Sequence, residues 1–164
     1  MDCALTLADI YGCDYEKTRI AAISHDCAKE LSCEVLVNIA QSEDLNLDEV
    51  TLSEPQLLHG PIGRVIATKD LDIKDDDILN AIHYHTTGRK NMTTLEKIIY
   101  LADVIEIGRN YHGIEEVRKL STESLDKAIV MAIDNTIRYV ISINSLLHPR
   151  TIELRNSILL RMKI

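Results

Sequence analysis

Apolar residues recur along this chain at intervals of three and four, and strict alternation never lasts beyond a few positions, so the pattern predicts helices and no sheet. Ala4, Leu5 and Ala8 form a short first stripe that Gly12 ends. Asp14 is placed to cap a second helix over 14–31, with Ile20, Ala21, Ile23, Ala28 and Leu31 turned inward. A third helix is predicted over 34–41. The stretch 42–55 is acidic and irregular, with room for a turn or two of helix. Gly60-Pro61 opens another helix, to residue 68, since Pro suits a first turn. The next covers 75–85 and is closed by Gly88, and Thr93 or Thr94 caps an apolar helix to residue 107. A longer helix is predicted over 122–146, stopped by His148-Pro149, and 151–162 is amphipathic. No repeat or linker interrupts this order, so 1–164 is expected to be a single all-α domain, a helical bundle.

Composition narrows what such a bundle can do. With no Trp and no Phe among 164 residues, the core must be built from Ile, Leu, Val, Ala and Met. A formal net charge of -8 argues against binding a nucleic acid polymer, which asks for a basic face. It leaves room for phosphate chemistry, which needs only a local cluster of cations. No apolar run approaches the roughly 20 residues of a membrane helix, so no membrane partner is expected. Cys3, Cys13, Cys27 and Cys33 show no C-x-x-C spacing and no secretory leader precedes them, which points to reduced thiols and a cytoplasmic protein.

Several titratable residues stand in apolar company. His25-Asp26 lies within Ile20-Ala-Ala-Ile-Ser-His-Asp-Cys-Ala-Lys29, where a buried carboxylate costs several kcal/mol unless it is paired or metal-bound. A solvent-facing Asp beside a satisfied core His is the plainer account of that pair taken alone. Asp103 sits in Ile98-Ile-Tyr-Leu-Ala-Asp-Val-Ile-Glu-Ile107, apolar around most of its circumference, and is another acid in need of a cation, with a salt bridge to Arg or Lys as the alternative. His83 and His85 are two apart and point about 200° away from each other on a helix. Ile78, Ile82 and His85 follow one stripe, so His85 is the candidate ligand and His83 is expected at the surface or behind the site. His59 precedes a helix start, where it could swing into a pocket or remain an ordinary loop residue. Three His and two Asp together form a ligand set suited to Fe, Mn or Zn. Lys29, Arg89 and Arg109 each follow one of these segments, as a phosphate site would need, although surface Lys and Arg are common in any case.

These strings carry a resemblance. His25-Asp26 with Lys29, Leu58-His-Gly-Pro61, Tyr84-His-Thr-Thr-Gly-Arg89, Leu95-Glu-Lys-Ile-Ile-Tyr-Leu-Ala-Asp103 and 106–109 resemble, in order and spacing, the YqeK family of HD-domain proteins. Those are bacterial symmetrical bis(5′-nucleosyl)-tetraphosphatases, which cut diadenosine tetraphosphate into two ADP. The resemblance implies an HD-domain helical bundle with a two-metal centre, iron foremost, with Mn, Mg or Zn as alternatives. It implies metal-ligand roles for His25, Asp26, His59, His85 and Asp103, with Asp26 bridging and catalytic. Lys29 and Arg89 are implied as catalytic phosphate contacts, and Thr86, Thr87, Gly88 and Arg109 as further substrate contacts, in a protein that could act as a homodimer. The family carries a further metal-binding His on its first helix, a few residues upstream of Met1, and 1–12 reads as the latter part of that helix. Full activity is therefore expected to depend on that upstream residue. The rival readings are another HD-type nucleotide phosphohydrolase and a non-catalytic metal- or nucleotide-binding module. Product analysis separates the first, and metal content with turnover the second.

Overall fold

The computed structural model describes residues 1–163, and there the chain forms ten α-helices and no strand. In order these are α1 Asp2–Tyr11, α2 Tyr15–Ser24, α3 Cys33–Ser42, α4 Glu49–Ser53, α5 His59–Lys69, α6 Asp76–Tyr84, α7 Thr94–Val104, α8 Ile114–Glu123, α9 Leu125–Ser142 and α10 Pro149–Met162, with a 3-10 turn at Pro55–Leu57. Side-chain caps set many of the starts. Asp14, Ser32, Asp48, Asp75, Thr93 and Ser124 each accept a hydrogen bond from a backbone N–H of the first turn. Gly12 ends α1 in the left-handed conformation, at φ 64°.

The principal core is where α1, α2, α6, α7 and α9 meet, around Leu7, Ile82, Ile98, Leu101, Ile129 and Ile133. A smaller cluster of Ala28, Leu36, Ala40, Leu58 and Ile62 fills the space between α3 and α5. The His25–Asp26 segment runs along the seam between them. Cys3 and Cys13 pack against the main core, whereas Cys27 and Cys33 are exposed, and all four are free thiols.

The helix expected over 14–31 ends at Ser24. Residues 25–30 continue as tight turns in which Cys27 N–H donates to Ser24, Lys29 N–H to Asp26 and Leu31 N–H to Ala28. The change from i−4 to i−3 bonding turns Asp26 out of the apolar stripe, and Ile23, expected inside, is 59% exposed. The helix expected to reach 107 stops at Val104, leaving a 105–113 loop. The one expected over 122–146 starts after Ser124, whose extended backbone caps α9, and ends at Ser142, and α8 before it was not foreseen.

One ion pair holds the turn between α6 and α7. Glu96 is fully buried and takes two bonds from Arg89, Nε at 2.6 Å and Nη2 at 3.1 Å. It also accepts from the Thr93 N–H at 2.7 Å while its own N–H donates to the Thr93 hydroxyl, completing a capping box. Glu96→Ala strands a half-buried guanidinium and removes one of the two bonds of the capping box. The expected loss is about 3 kcal/mol, read as a fall in Tm of roughly 6–12 °C for a chain of this size. A fall of a degree or two would show that the pair is not what secures the turn.

Candidate metal centre

Three helix-end segments deliver imidazoles to one place. His25 follows the last residue of α2, His59 opens α5 and His85 caps the end of α6. Each ring is fixed in the same way, its Nδ1 against a carbonyl three residues back: His25 on Ala22 at 3.0 Å, His59 on Gln56 at 2.6 Å and His85 on Ile82 at 2.7 Å. A carbonyl only accepts, so each Nδ1 carries a hydrogen, and the neutral form of each ring turns a bare Nε2 lone pair inward.

Those lone pairs converge on Asp26. His59 Nε2 and His85 Nε2 are 2.9 Å apart, and they lie 3.5 and 3.4 Å from Asp26 Oδ1. His25 Nε2 lies 3.4 Å from Asp26 Oδ2, which also accepts from Lys29 Nζ at 2.7 Å. Ligand atoms of His25, Asp26 and His85 all fall within 4.8 Å of one another. Asp26 Oδ1 is buried and has no hydrogen-bond partner among the described residues. Three nitrogen lone pairs and a carboxylate oxygen facing one point repel each other unless positive charge sits between them, as a shared proton or a cation. Burial raises the Asp26 carboxyl, but a proton shared with His59 and His85, together with the Lys29 ammonium, outweighs it and holds the group below the usual carboxylate range. Burial, and then the neighbouring His85, lower the His25 imidazole and favour its neutral, ligating form. Neutral imidazoles held through their other nitrogen, beside a carboxylate, are what a divalent metal requires. The residues present therefore fit a metal.

Close packing permits this geometry. Gly60 lies against the His83 carbonyl, and Gly63 lies against Ile82 and the His25 carbonyl, so α5 approaches both α6 and the His25 turn. Asp103, on the last turn of α7, is paired with Arg109 Nη2 at 2.8 Å, the salt bridge that was the alternative to metal binding in the sequence. Arg89 gives Nε and Nη2 to Glu96 and stacks on Tyr84, so the pair holds the guanidinium in place. Thr87 donates to the Gly88 carbonyl and accepts on its own carbonyl from Thr151, while Gly88, at φ 66°, is pressed against Leu154. These two residues shape the turn after His85. Thr86 has a buried hydroxyl without a partner among the described residues and faces a cavity beside His85.

His83 points away from the centre, as its spacing requires. It is half-buried against Tyr84, in a groove that also contains Arg64. Burial, and then the guanidiniums of Arg150, Arg64 and Arg89, push its pKa down to about 4 from 6.5. The unfolded chain therefore binds this proton first. The stability is fully present above pH 6.5 and is lost as pH falls towards 4. The denaturation midpoint of wild-type protein should fall more steeply between pH 7 and 5 than that of His83→Gln, and the variant should keep its metal. Parallel pH profiles would show that His83 titrates normally.

An all-helical bundle that gathers a His-Asp pair and two further imidazoles is the architecture of a divalent-metal-binding helical hydrolase. The HD domain profile matches residues 1–108. A symmetrical bis(5′-nucleosyl)-tetraphosphatase of Halalkalibacterium halodurans is 39% identical over 163 residues, 99% of this chain and 87% of that protein. The protein of the same name from Bacillus subtilis is 40% identical over 151 residues, covering 92% and 81%. Among solved structures, a predicted HD superfamily hydrolase involved in NAD metabolism from Clostridium acetobutylicum superposes with a TM-score of 0.94 at 49% identity, over 98% of this chain and 85% of that one. The chain belongs to the HD-domain family, among its symmetrical bis(5′-nucleosyl)-tetraphosphatases.

The sequence did not single out Tyr111, Asn135, Arg138 or Tyr139, which line the cavity beside the centre with His85 and Asp103. The signal available was weak: polar residues breaking the apolar stripe of α9. Arg118 was also missed. It donates to the carbonyls of Ile105, Glu106 and Arg109 and so holds the loop that carries Arg109.

Proposed function

We propose that this chain is a metal-dependent phosphohydrolase that cuts diadenosine tetraphosphate symmetrically into two ADP. The observation that carries the reading is the convergence of the His59 and His85 Nε2 atoms on the unpartnered Asp26 Oδ1, with His25 Nε2 beside Oδ2. The relatives named for this activity, similar over nearly the whole chain, supply the substrate. His25, Asp26, His59 and His85 hold the metal, and Asp103 serves a second position once Arg109 turns to substrate. Asp26 would contribute to both. The nitrogen and carboxylate donor set suits iron and accommodates Mn or Zn. Bound there, the cations supply Lewis-acid activation of water and of the phosphoryl oxygens.

The chain's own groups do the rest. Lys29 and Arg109 each sit on a carboxylate of the centre and are the cations nearest to hand for a polyphosphate. Oriented there, the substrate is attacked at one of its two central phosphorus atoms. The water oxygen ends on that phosphorus, the bridging oxygen leaves with the other, and two ADP result. Given diadenosine tetraphosphate, protein purified without oxygen should release ADP as its only early product and carry first-row metal. AMP with ATP would overturn the symmetrical assignment, and no release at all would overturn the enzyme reading. No helix among the described residues is long and apolar enough to cross a membrane, in keeping with action on a soluble nucleotide in the cytoplasm.

A further inference from the structure

Four buried side-chain atoms lack a hydrogen-bond partner among the described residues, and three of them, Thr86 Oγ1, Tyr111 OH and Asn135 Nδ2, belong to one cavity. It measures about 740 Å³, starts at His85 and Asp103, and extends between the 105–113 loop and α9. Leaving such a group buried and unbonded costs about 1–3 kcal/mol, so three in one place call for a ligand.

The chemistry of the walls says which kind. The chain has six Tyr and neither Trp nor Phe, yet three of the six, Tyr100, Tyr111 and Tyr139, line this cavity. Aromatic faces accept a planar ring. Of the two guanidiniums in the wall, Arg109 sits on Asp103 at the centre, where the phosphates would lie, and Arg138 bonds Asn135. Arg138 Nη1 donates to Asn135 Oδ1 at 3.2 Å, which orients the amide and leaves Nδ2 as the free donor. Gly113, at φ 87°, leaves room for the Asn135 amide, since a Cβ there would stand 3.2 Å from Nδ2.

We infer that this cavity holds the base of one nucleotide of the substrate, and that Asn135 reads an acceptor on the ring edge through Nδ2, with the Tyr111 and Thr86 hydroxyls completing the contacts. The inference rests on the phosphohydrolase reading for the position of the phosphates, but it can fail separately. The test compares ADP with inorganic pyrophosphate, which lacks the ring, by calorimetric titration of the full metal-loaded chain. Wild-type protein should bind ADP at least tenfold more tightly. Asn135→Leu and Asn135→Asp should each lose roughly tenfold in ADP affinity while pyrophosphate affinity and metal content hold. Tyr111→Phe removes one hydroxyl with no change of shape, and should weaken ADP alone by a smaller factor. Unchanged ADP binding in all three variants, or equal losses for ADP and pyrophosphate, would overturn the base site. The phosphohydrolase reading fails on a different result, wild-type protein that does not release ADP from diadenosine tetraphosphate.

Discussion

Asp26→Ala should lose its metal and about three orders of magnitude in turnover. Asp26 touches all three imidazoles and Lys29: His59 and His85 at Oδ1, His25 and Lys29 at Oδ2. Removing it leaves imidazoles without the negative charge that balances a divalent cation. About 4 kcal/mol of charge stabilisation then disappears, and each 1.36 kcal/mol is tenfold in rate. The fold should survive. Among the described residues, the only side-chain bond Asp26 makes outside the imidazole cluster is to Lys29, whose side chain is 43% exposed, and such a pair contributes about 0–1 kcal/mol. Metal analysis and thermal melts with and without added metal read the two effects apart. Wild-type protein should gain stability on adding metal, because the ion binds the native state alone, and Asp26→Ala should gain none. A variant that keeps metal and the same thermal gain would show that Asp26 is not a ligand. Asp26→Asn, with the shape kept and the charge gone, should fall between the two.

Much of this centre was legible in the sequence, for a physical reason. Titratable residues inside apolar stripes are expensive, so His85 on the Ile78–Ile82 stripe and Asp26 after Ala21 stood out against a background that should have been apolar. Periodicity also separated His85 from His83 correctly, because the chain is helical up to Tyr84. What failed was local. A helix running on through residue 31 would have fixed Asp26 in a helical direction, whereas the tight turns after Ser24 are what bring it to His59 and His85. The fate of Arg89 was hidden because its partner, Glu96, reads as an ordinary first-turn acid. Only the capping box at Thr93, which already places that carboxylate at the helix start, hints that it is spoken for. The cavity walls were least legible, since Tyr111 and Asn135 come from a loop and a helix far apart in sequence, and no local pattern joins them.

Gly60→Ala should damage the centre almost as severely without touching any ligand. A Cβ built on Gly60 would stand 2.6 Å from the carbonyl oxygen of His83 and 3.5 Å from its carbonyl carbon. Both are backbone atoms, so no side chain can swing away to make room, and the start of α5 must move off the end of α6. His59 immediately precedes Gly60, and His85 lies two residues beyond His83, so that movement opens the 2.9 Å gap between their Nε2 atoms. Overpacking of this kind costs about 1–3 kcal/mol in stability. The larger effect is on the site, where a misplacement of about 1 Å can cost on the order of a hundredfold. Two other glycines calibrate the result. At Gly63 the nearest atom is the Ile82 Cγ2 methyl, at the longer distance of 3.2 Å and on a side chain rather than the backbone, so Gly63→Ala should be intermediate. At Gly108 a Cβ meets nothing within 4 Å, so Gly108→Ala should leave stability unchanged. Metal affinity and unfolding midpoints measured across the three variants should rank them Gly60, Gly63, Gly108 from worst to mildest. Wild-type metal affinity in Gly60→Ala would mean that His59 reaches the centre independently of how closely α5 approaches α6.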